Sequence, residues 1–201
     1  MKRKQQLTKS RIIHAAWQLF SKQGYDQTTV DEIIALSQSS KGSFYHYFKG
    51  KEALLNTLSY MFDEKYKELE QTISPDISAY DKLVLYNHEL FHFIETTIDV
   101  ELIAYLYGSQ LTTKDNRSLL DNERVYYTVI RRTIQQGIAM GEFRSSLHVN
   151  EAARLYALYE RGLIYDWALH HGAYSLSKYS DSLLPMILRQ FLKPDTPKII
   201  P

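Results

Sequence analysis

Apolar positions recur at three- and four-residue spacing along nearly the whole chain, and nowhere do β-branched residues alternate with polar ones over four or more positions. That pattern predicts helices throughout and no sheet. The first helix spans roughly 7–23, with Ile12, Ile13, Ala16, Trp17 and Phe20 on one face and Gly24 as a C-cap. Thr29 followed by Glu32 forms a capping box for a short helix whose buried side is Val30, Ile33 and Ile34. Serines at 37, 39 and 40 break it, and Ser39 or Ser40 caps a third helix running to about Tyr47. A long helix is predicted from Lys51 to Ile73, carrying Leu55, Leu58, Phe62, Tyr66 and Leu69 in register. At a rise of about 1.5 Å per residue it makes a rod of about 33 Å. Further helices are predicted over 76–97, 99–111, 117–140, 150–171 and 178–192, separated by Pro75, the polar stretch 112–116 and the loop GEFRSSLHVN. The expectation is an all-α chain of about nine helices.

Composition changes this picture little, and charge changes it more. The 201 residues suffice for a sizeable core, and the lack of cysteine excludes disulfides and thiolate metal sites. Polar Gln5, Gln6 and Thr8 follow Lys2-Arg3-Lys4 where a signal peptide would turn apolar, and no apolar run nears the roughly 20 residues that span a bilayer. A cytoplasmic protein without a membrane segment is expected. The net charge of +1 is unevenly spread: residues 1–60 hold nine Lys/Arg against four acids, the remainder fifteen against nineteen. The basic end is suited to a polyanion.

Two short helices joined by a turn, the second preceded by a serine, describe a helix-turn-helix, whose second helix enters the DNA major groove. Within SSKGSFYHYFKGKEALL, Gly42 leaves the backbone bare for close approach, and Ser40, Ser43, Tyr45, His46 and Tyr47 offer donors to phosphate oxygens. Lys41, Lys49 and Lys51 add charge, and Thr28 or Thr29 stands at the mouth of the preceding helix. Phe44 and Phe48, spaced i, i+4, share a face and are expected to pack on Ile12, Ala16 and Ile33. From Phe20 to Leu54 the chain carries F-x-x-x-G-Y-x-x-T-T-V, then I-x-x-x-S-x-x-S-K-G-S-F-Y-H-Y-F-K-x-K-E-A-L. This run resembles the N-terminal signature of TetR-type transcriptional repressors. The resemblance implies a homodimer on a pseudo-palindromic operator, with a three-helix DNA-binding domain (residues 1–50) and a helical ligand-binding and dimerisation domain (51–201). It implies phosphate contacts at Thr29, Tyr45, His46, Tyr47 and Lys51, and base-proximal positions at Ser40, Lys41, Gly42 and Ser43. Gly50 stands where the family usually has Ser, Asn or Asp to cap the fourth helix. The Lys2-Arg3-Lys4 arm either reaches DNA or merely solubilises the terminus.

HELFH, His88 to His92, matches the H-E-x-x-H zinc-protease pattern. Its context does not: Glu95 and Ile98 stand where one such class would place Gly and His, and residues 108–118 offer only Asp115 as a third ligand. Neither catalysis nor a metal or other cofactor is expected, and the two histidines line a pocket or are structural. Candidate pocket residues are Phe62, Tyr66, His88, Phe91, His92, Tyr105, Tyr127, Tyr159 and Leu163, an aromatic-rich set suited to a flat or amphipathic effector. Glu89, Glu95, Glu101 and Asp166 favour a cationic effector if buried, but read as solvated. Leu155, Tyr159, Gly162, Leu163 and Trp167 form one stripe and Leu184, Ile187, Leu188, Phe191 and Leu192 another, and these are expected to dimerise. The alternatives are a DNA-binding protein without an effector and a zinc hydrolase.

Overall fold

The computed structural model describes residues 2–114 and 117–194, with side chains from Leu7 onward. The Lys2-Arg3-Lys4 side chains and Asp115 therefore lie outside the described residues. The chain is all-α: α1 (Lys2–Gln23), α2 (Val30–Leu36), α3 (Lys41–Tyr47), α4 (Glu52–Leu55), α5 (Thr57–Thr72), α6 (Ala79–Thr97), α7 (Val100–Thr112), α8 (Val125–Ala139), α9 (Val149–Leu169) and α10 (Leu176–Leu188). A 3-10 turn occupies Ser118–Leu120. Among the described residues the extended pairing is confined to an isolated antiparallel bridge between Phe143 and Leu192. No helix among them is long and apolar enough to cross a membrane.

The chain forms two compact units, residues 1–61 with 101–119, and residues 62–100 with 120–201. In the first, Ile12, Ala16 and Phe20 of α1 meet Ile33 of α2 and Phe44 of α3, all buried, with Phe48, Leu54 and Leu58 completing the core. Gly24 ends α1 at φ +83, its N–H donating to the Phe20 carbonyl at 3.0 Å. From α7, Tyr105 lays its ring 4.5 Å from that of Tyr25 and hydrogen-bonds Asp26. In the second unit, buried residues of α6 (Leu83, Leu90, Phe91, Ile94), α8 (Val129, Ile130, Ile134), α9 (Tyr156, Leu163, Trp167) and α10 (Leu176, Leu184, Leu188) make the core with Phe62 and Tyr66 of α5.

Three boundaries depart from the periodicity, each for a side-chain reason. The expected rod over 51–73 is interrupted at Asn56. There Thr57 Oγ1 donates to the Leu54 carbonyl at 2.5 Å and Ser59 Oγ to that of Asn56 at 2.6 Å, competing with the helical ladder. Asn56 Oδ1 itself accepts from Gln110 Nε2 at 2.7 Å and Ser118 Oγ at 3.2 Å. The expected helix over 117–140 is a 3-10 turn followed by α8, because Arg124 is held extended at the α8 N-cap (ψ 149) with its guanidinium on Asp63. Finally α10 stops at Leu188 rather than 192, and the chain turns so that Arg144 N donates to the Phe191 carbonyl at 2.9 Å. Phe191 then packs edge-on against Phe143, which in turn fills the space left by Gly137.

Candidate nucleic-acid interface and the polar interior of the second unit

The turn between α2 and α3 is fixed by caps at both helices. Thr29 Oγ1 accepts from Glu32 N at 3.3 Å while Glu32 Oε2 accepts from Thr29 N at 2.7 Å. These bonds hold the Glu32 carboxyl below its usual range, chiefly through the Thr29 backbone. Ser40 Oγ accepts from Ser43 N at 3.1 Å and opens α3, after Gln38 has turned the chain at φ 50. One face of α3 is committed to the core through Phe44 and Phe48, rings 5.9 Å apart. Its other face leaves Lys41, Gly42, Tyr45 and His46 exposed, with Ser43 and Tyr47 half-buried at its edges. A Cβ at Gly42 would meet nothing closer than Ser40 Oγ at 4.0 Å, so that point of the backbone is open. Lys41 pairs only loosely with Asp31, at 3.7 Å with both side chains largely in solvent. Lys49 is exposed. The result is an exposed, hydroxyl-bearing helix start with Lys41 at its mouth.

Two residues read from the sequence as phosphate donors are employed otherwise. Thr28 is 1% exposed and donates to the Gly24 carbonyl at 2.8 Å, which takes it off the surface. The Lys51 ammonium donates to three carbonyls, Tyr25 at 2.8 Å, Thr28 at 3.1 Å and Asp26 at 3.2 Å, and lies 4.4 Å from the Tyr25 ring centroid. It ties the loop between α1 and α2 to the start of α4, where Lys51 rather than Gly50 is the N-cap and makes no side-chain cap bond.

The expected pocket residues separate. Tyr105 belongs to the first unit, where its hydroxyl donates a hydrogen bond to Asp26, which pushes its pKa up to about 12. His88 and His92 face outward from α6: His88 Nδ1 lies 3.0 Å from both Asp181 oxygens, and His92 Nδ1 lies 3.5 Å from Glu95 Oε1. They answer to different carboxylates, and among the described residues no three His, Cys, Asp or Glu side chains are placed to share a metal ion. Glu95, expected in solvent, reaches the start of α10 and accepts from Leu176 N at 2.5 Å and Ser177 Oγ at 2.6 Å. Burial alone would raise its pKa, and these bonds outweigh burial and lower it. Phe62, Tyr66, Phe91, Tyr127 and Leu163 are buried in the second unit, with Tyr159 donating to or accepting from Ser180 Oγ at 2.8 Å.

The interior of that unit holds a carboxylate missed in the sequence. Glu160 is 3% exposed and accepts from Tyr126 Oη at 2.7 Å, Asn87 Nδ2 at 2.9 Å and Tyr66 Oη at 3.3 Å. Burial raises its pKa against the pull of those donors, and burial likewise raises all three neighbouring tyrosines, Tyr66, Tyr126 and Tyr156. Its position in the apolar register of α9, four residues after Tyr156 and three before Leu163, is the signal that marks it as interior. Nearby in the same unit Asp63 and Arg124, both almost wholly buried, form a two-pronged pair at 2.9 and 3.1 Å.

The dimerisation stripe also divides. Leu163, Trp167, Leu184, Leu188 and Phe191 are buried within the chain, so they close its own core; Ile187 and Tyr159 are half-buried. The apolar face left uncovered on α9 keeps Leu155 and Gly162 of the expected stripe and adds Leu158, Tyr165 and Leu169, spaced alternately by three and four. A Cβ at Gly162 would meet nothing within 4 Å. On α10, Tyr179 and Met186 are exposed seven residues apart.

Residues 12–58 match the sequence pattern described as "Bacterial regulatory proteins, tetR family". The HTH-type transcriptional regulator QacR of Staphylococcus aureus is 30% identical over 163 residues, covering 78% of this chain and 84% of its own. The fatty acid metabolism regulator protein of Bacillus subtilis is 24% identical over 181 residues, 88% of this chain and 92% of its own. The crystal structure of the TetR-family repressor FadR of Thermus thermophilus, in complex with lauroyl-CoA, superposes with a TM-score of 0.74. It covers 96% of this chain and 99% of its own at 20% identity, which speaks to the fold. With the capped helix-turn-helix in place and a relative aligned over most of both chains, this chain belongs to the TetR family of bacterial transcriptional regulators.

Proposed function

We propose that the protein represses transcription as a homodimer, each copy presenting α3 to one half of a pseudo-palindromic operator, and that a small molecule held in the second unit releases it. The observation that carries the reading is the division of α3: Phe44 and Phe48 lock one face to the core while Lys41, Gly42, Tyr45 and His46 are exposed on the other. We assign DNA contact to Thr29, Ser40, Lys41, Gly42, Ser43, Tyr45, His46 and Tyr47. Lys51 acts by holding the loop from which Thr29 is presented. Residues 1–50 carry the reading function and the rest of the chain effector binding and dimerisation, residues 51–61 and 101–119 serving to brace the DNA-reading helices.

Two copies are needed because one short helix makes too few phosphate contacts for tight binding, and half-sites recur about 34–36 Å apart along the duplex. The seam between copies is the uncovered α9 stripe, whose three-four spacing is that of a helix packed lengthwise on another. Gly162 there lets two backbones approach closely. Effector binding shifts the population toward a state in which the spacing of the two α3 helices no longer fits. Because the Thermus relative binds lauroyl-CoA, a long-chain acyl thioester is the first effector to try, ahead of aromatic cations.

The test is fluorescence anisotropy on operators selected from a random duplex pool. Lys41→Ala and Tyr45→Ala should weaken the selected operator by about 1–3 kcal/mol per lost contact, with Lys41→Ala also lowering the salt slope. Leu158→Glu should yield monomers by light scattering and lose operator binding. A chain that stays monomeric as wild type and ignores duplex at low ionic strength would refute the reading.

A further inference from the structure

The second unit has a cavity of about 480 Å³ lined from α8 and α9, and three of its nine lining residues are arginines. Arg131 comes from α8, and Arg154 and Arg161 from the same side of α9 about two turns apart, with Tyr127 and Asn150 also in the lining. One acid, Glu151, shares the wall. Arg161 Nη1 donates to Tyr127 Oη at 2.8 Å, and Arg131 Nη2 to the Asn122 carbonyl at 2.9 Å. Both contacts are to neutral oxygens, so they aim the guanidinium planes without neutralising them, and they use only part of each fork of donors. Among the described residues none of the three arginines has a carboxylate within ion-pairing distance, although ion pairs form elsewhere in the same unit. The adjacent start of α9 has His148 at its N-cap with no side-chain hydrogen bond, and Glu151 is the acid of its first turn, facing the positive end of the helix dipole.

Three like charges around one concavity repel each other and cost stability unless an anion sits among them. A single carboxylate has two oxygens and cannot occupy three guanidinium forks. A lone orthophosphate would leave most of this volume empty, whereas the space falls within the roughly 300–1,000 Å³ of small-ligand sites. We propose that this cavity binds the clustered phosphates of a small organic phosphate, with Arg131, Arg154 and Arg161 gripping the oxygens in bidentate fashion. The site gives the effector of the proposed repressor a charged anchor, and its regulatory meaning rests on that reading while its binding chemistry does not. It also sets this surface against a cationic effector.

The experiment is calorimetric titration of the full-length protein, at low ionic strength, with inorganic pyrophosphate, ADP and coenzyme A in turn. At least one should bind, and Arg154→Glu and Arg131→Ala should each weaken it about tenfold or more, the loss of a charge-assisted pair of hydrogen bonds. Lys178→Glu on α10 should leave the affinity unchanged. Pyrophosphate binding as tightly as the nucleotides assigns the site to the phosphates alone; tighter ADP or coenzyme A assigns it to a nucleotide-bearing ligand. No binding by all three, or equal affinity in the arginine variants whose melting curves match wild type, overturns the site. Operator binding by the same samples separates the two readings: protein that binds operator but no phosphate loses only this inference, and protein that binds phosphate but no operator loses only the repressor.

Discussion

The two units of this chain stabilise themselves in different ways. The first has an apolar core built by α1, α2 and α3, with polar devices at the ends of those helices: a capping box at α2, a serine at α3, a lysine on three loop carbonyls. The second buries polar groups in its middle, a Glu160 carboxyl ringed by donors and an Asp63–Arg124 pair. Edge devices keep a small domain rigid while leaving a face of α3 free. Interior polar groups tie distant helices to one another by direction as well as by area, and each depends on all its partners being present. The first unit should therefore fail by losing apolar contact or a cap, the second by losing one partner of a buried set.

The largest expected loss that sharpens this contrast is Phe44→Ala. Removing a fully buried ring from a small core costs about 3–5 kcal/mol. Hydrogen exchange should accelerate in α1 to α3 with α6, α8 and α9 still protected, and duplex binding should vanish. If protection falls equally in both units, they are not separable in stability.

Asp63→Ala comes next, leaving Arg124 buried without its charge partner at a cost of about 3–5 kcal/mol, softened if water enters. Here the exchange pattern should invert, α8 and α9 opening while α2 and α3 keep their protection. Thr29→Ala is smaller: it removes the α2 cap for about 1 kcal/mol and should lower the chemical-denaturation midpoint without changing its slope.

The smallest effect is in pH dependence, and the sign differs between two carboxyls of the second unit. Glu95 titrates below its ordinary value of 4.5, so its contribution is present above that value and fades as pH falls through the depressed one. Glu160 titrates above 4.5, so the folded state favours its protonated form and its contribution is lost as pH rises through the elevated value. Thermal melts across the acid range should show Glu95→Gln destabilising most towards neutral pH, and Glu160→Gln flattening the decline that wild type shows as pH rises from 4.5. Matching slopes in the two variants would break the assignment.

Much of the first unit was legible along the chain because its signals are local. Thr29 and Glu32 are three residues apart, Ser40 immediately precedes α3, and Phe44 and Phe48 share a face at i, i+4; each relation is enforced by helix geometry alone. Lys51 was not legible, because its three carbonyl partners lie more than twenty residues away and a lysine beside DNA-facing helices looks like a phosphate ligand. The break at Asn56 likewise depends on Gln110 and Ser118.

The second unit yielded less. α9 carries apolar residues on more than one side, and the single stripe read from the sequence mixes them: Leu163 and Trp167 turn to the core, Leu155 and Gly162 to solvent. The sequence by itself determined an all-α chain, the caps of its first three helices, the helix-turn-helix and the family resemblance, since these depend on neighbours within a turn or two. Only the tertiary structure decided which apolar face stays bare, that Glu160 is interior, that Lys51 is a tie, and that three arginines meet around one cavity. Those facts arise when segments far apart in the chain exclude water from between them, and no local spacing encodes which segments will meet.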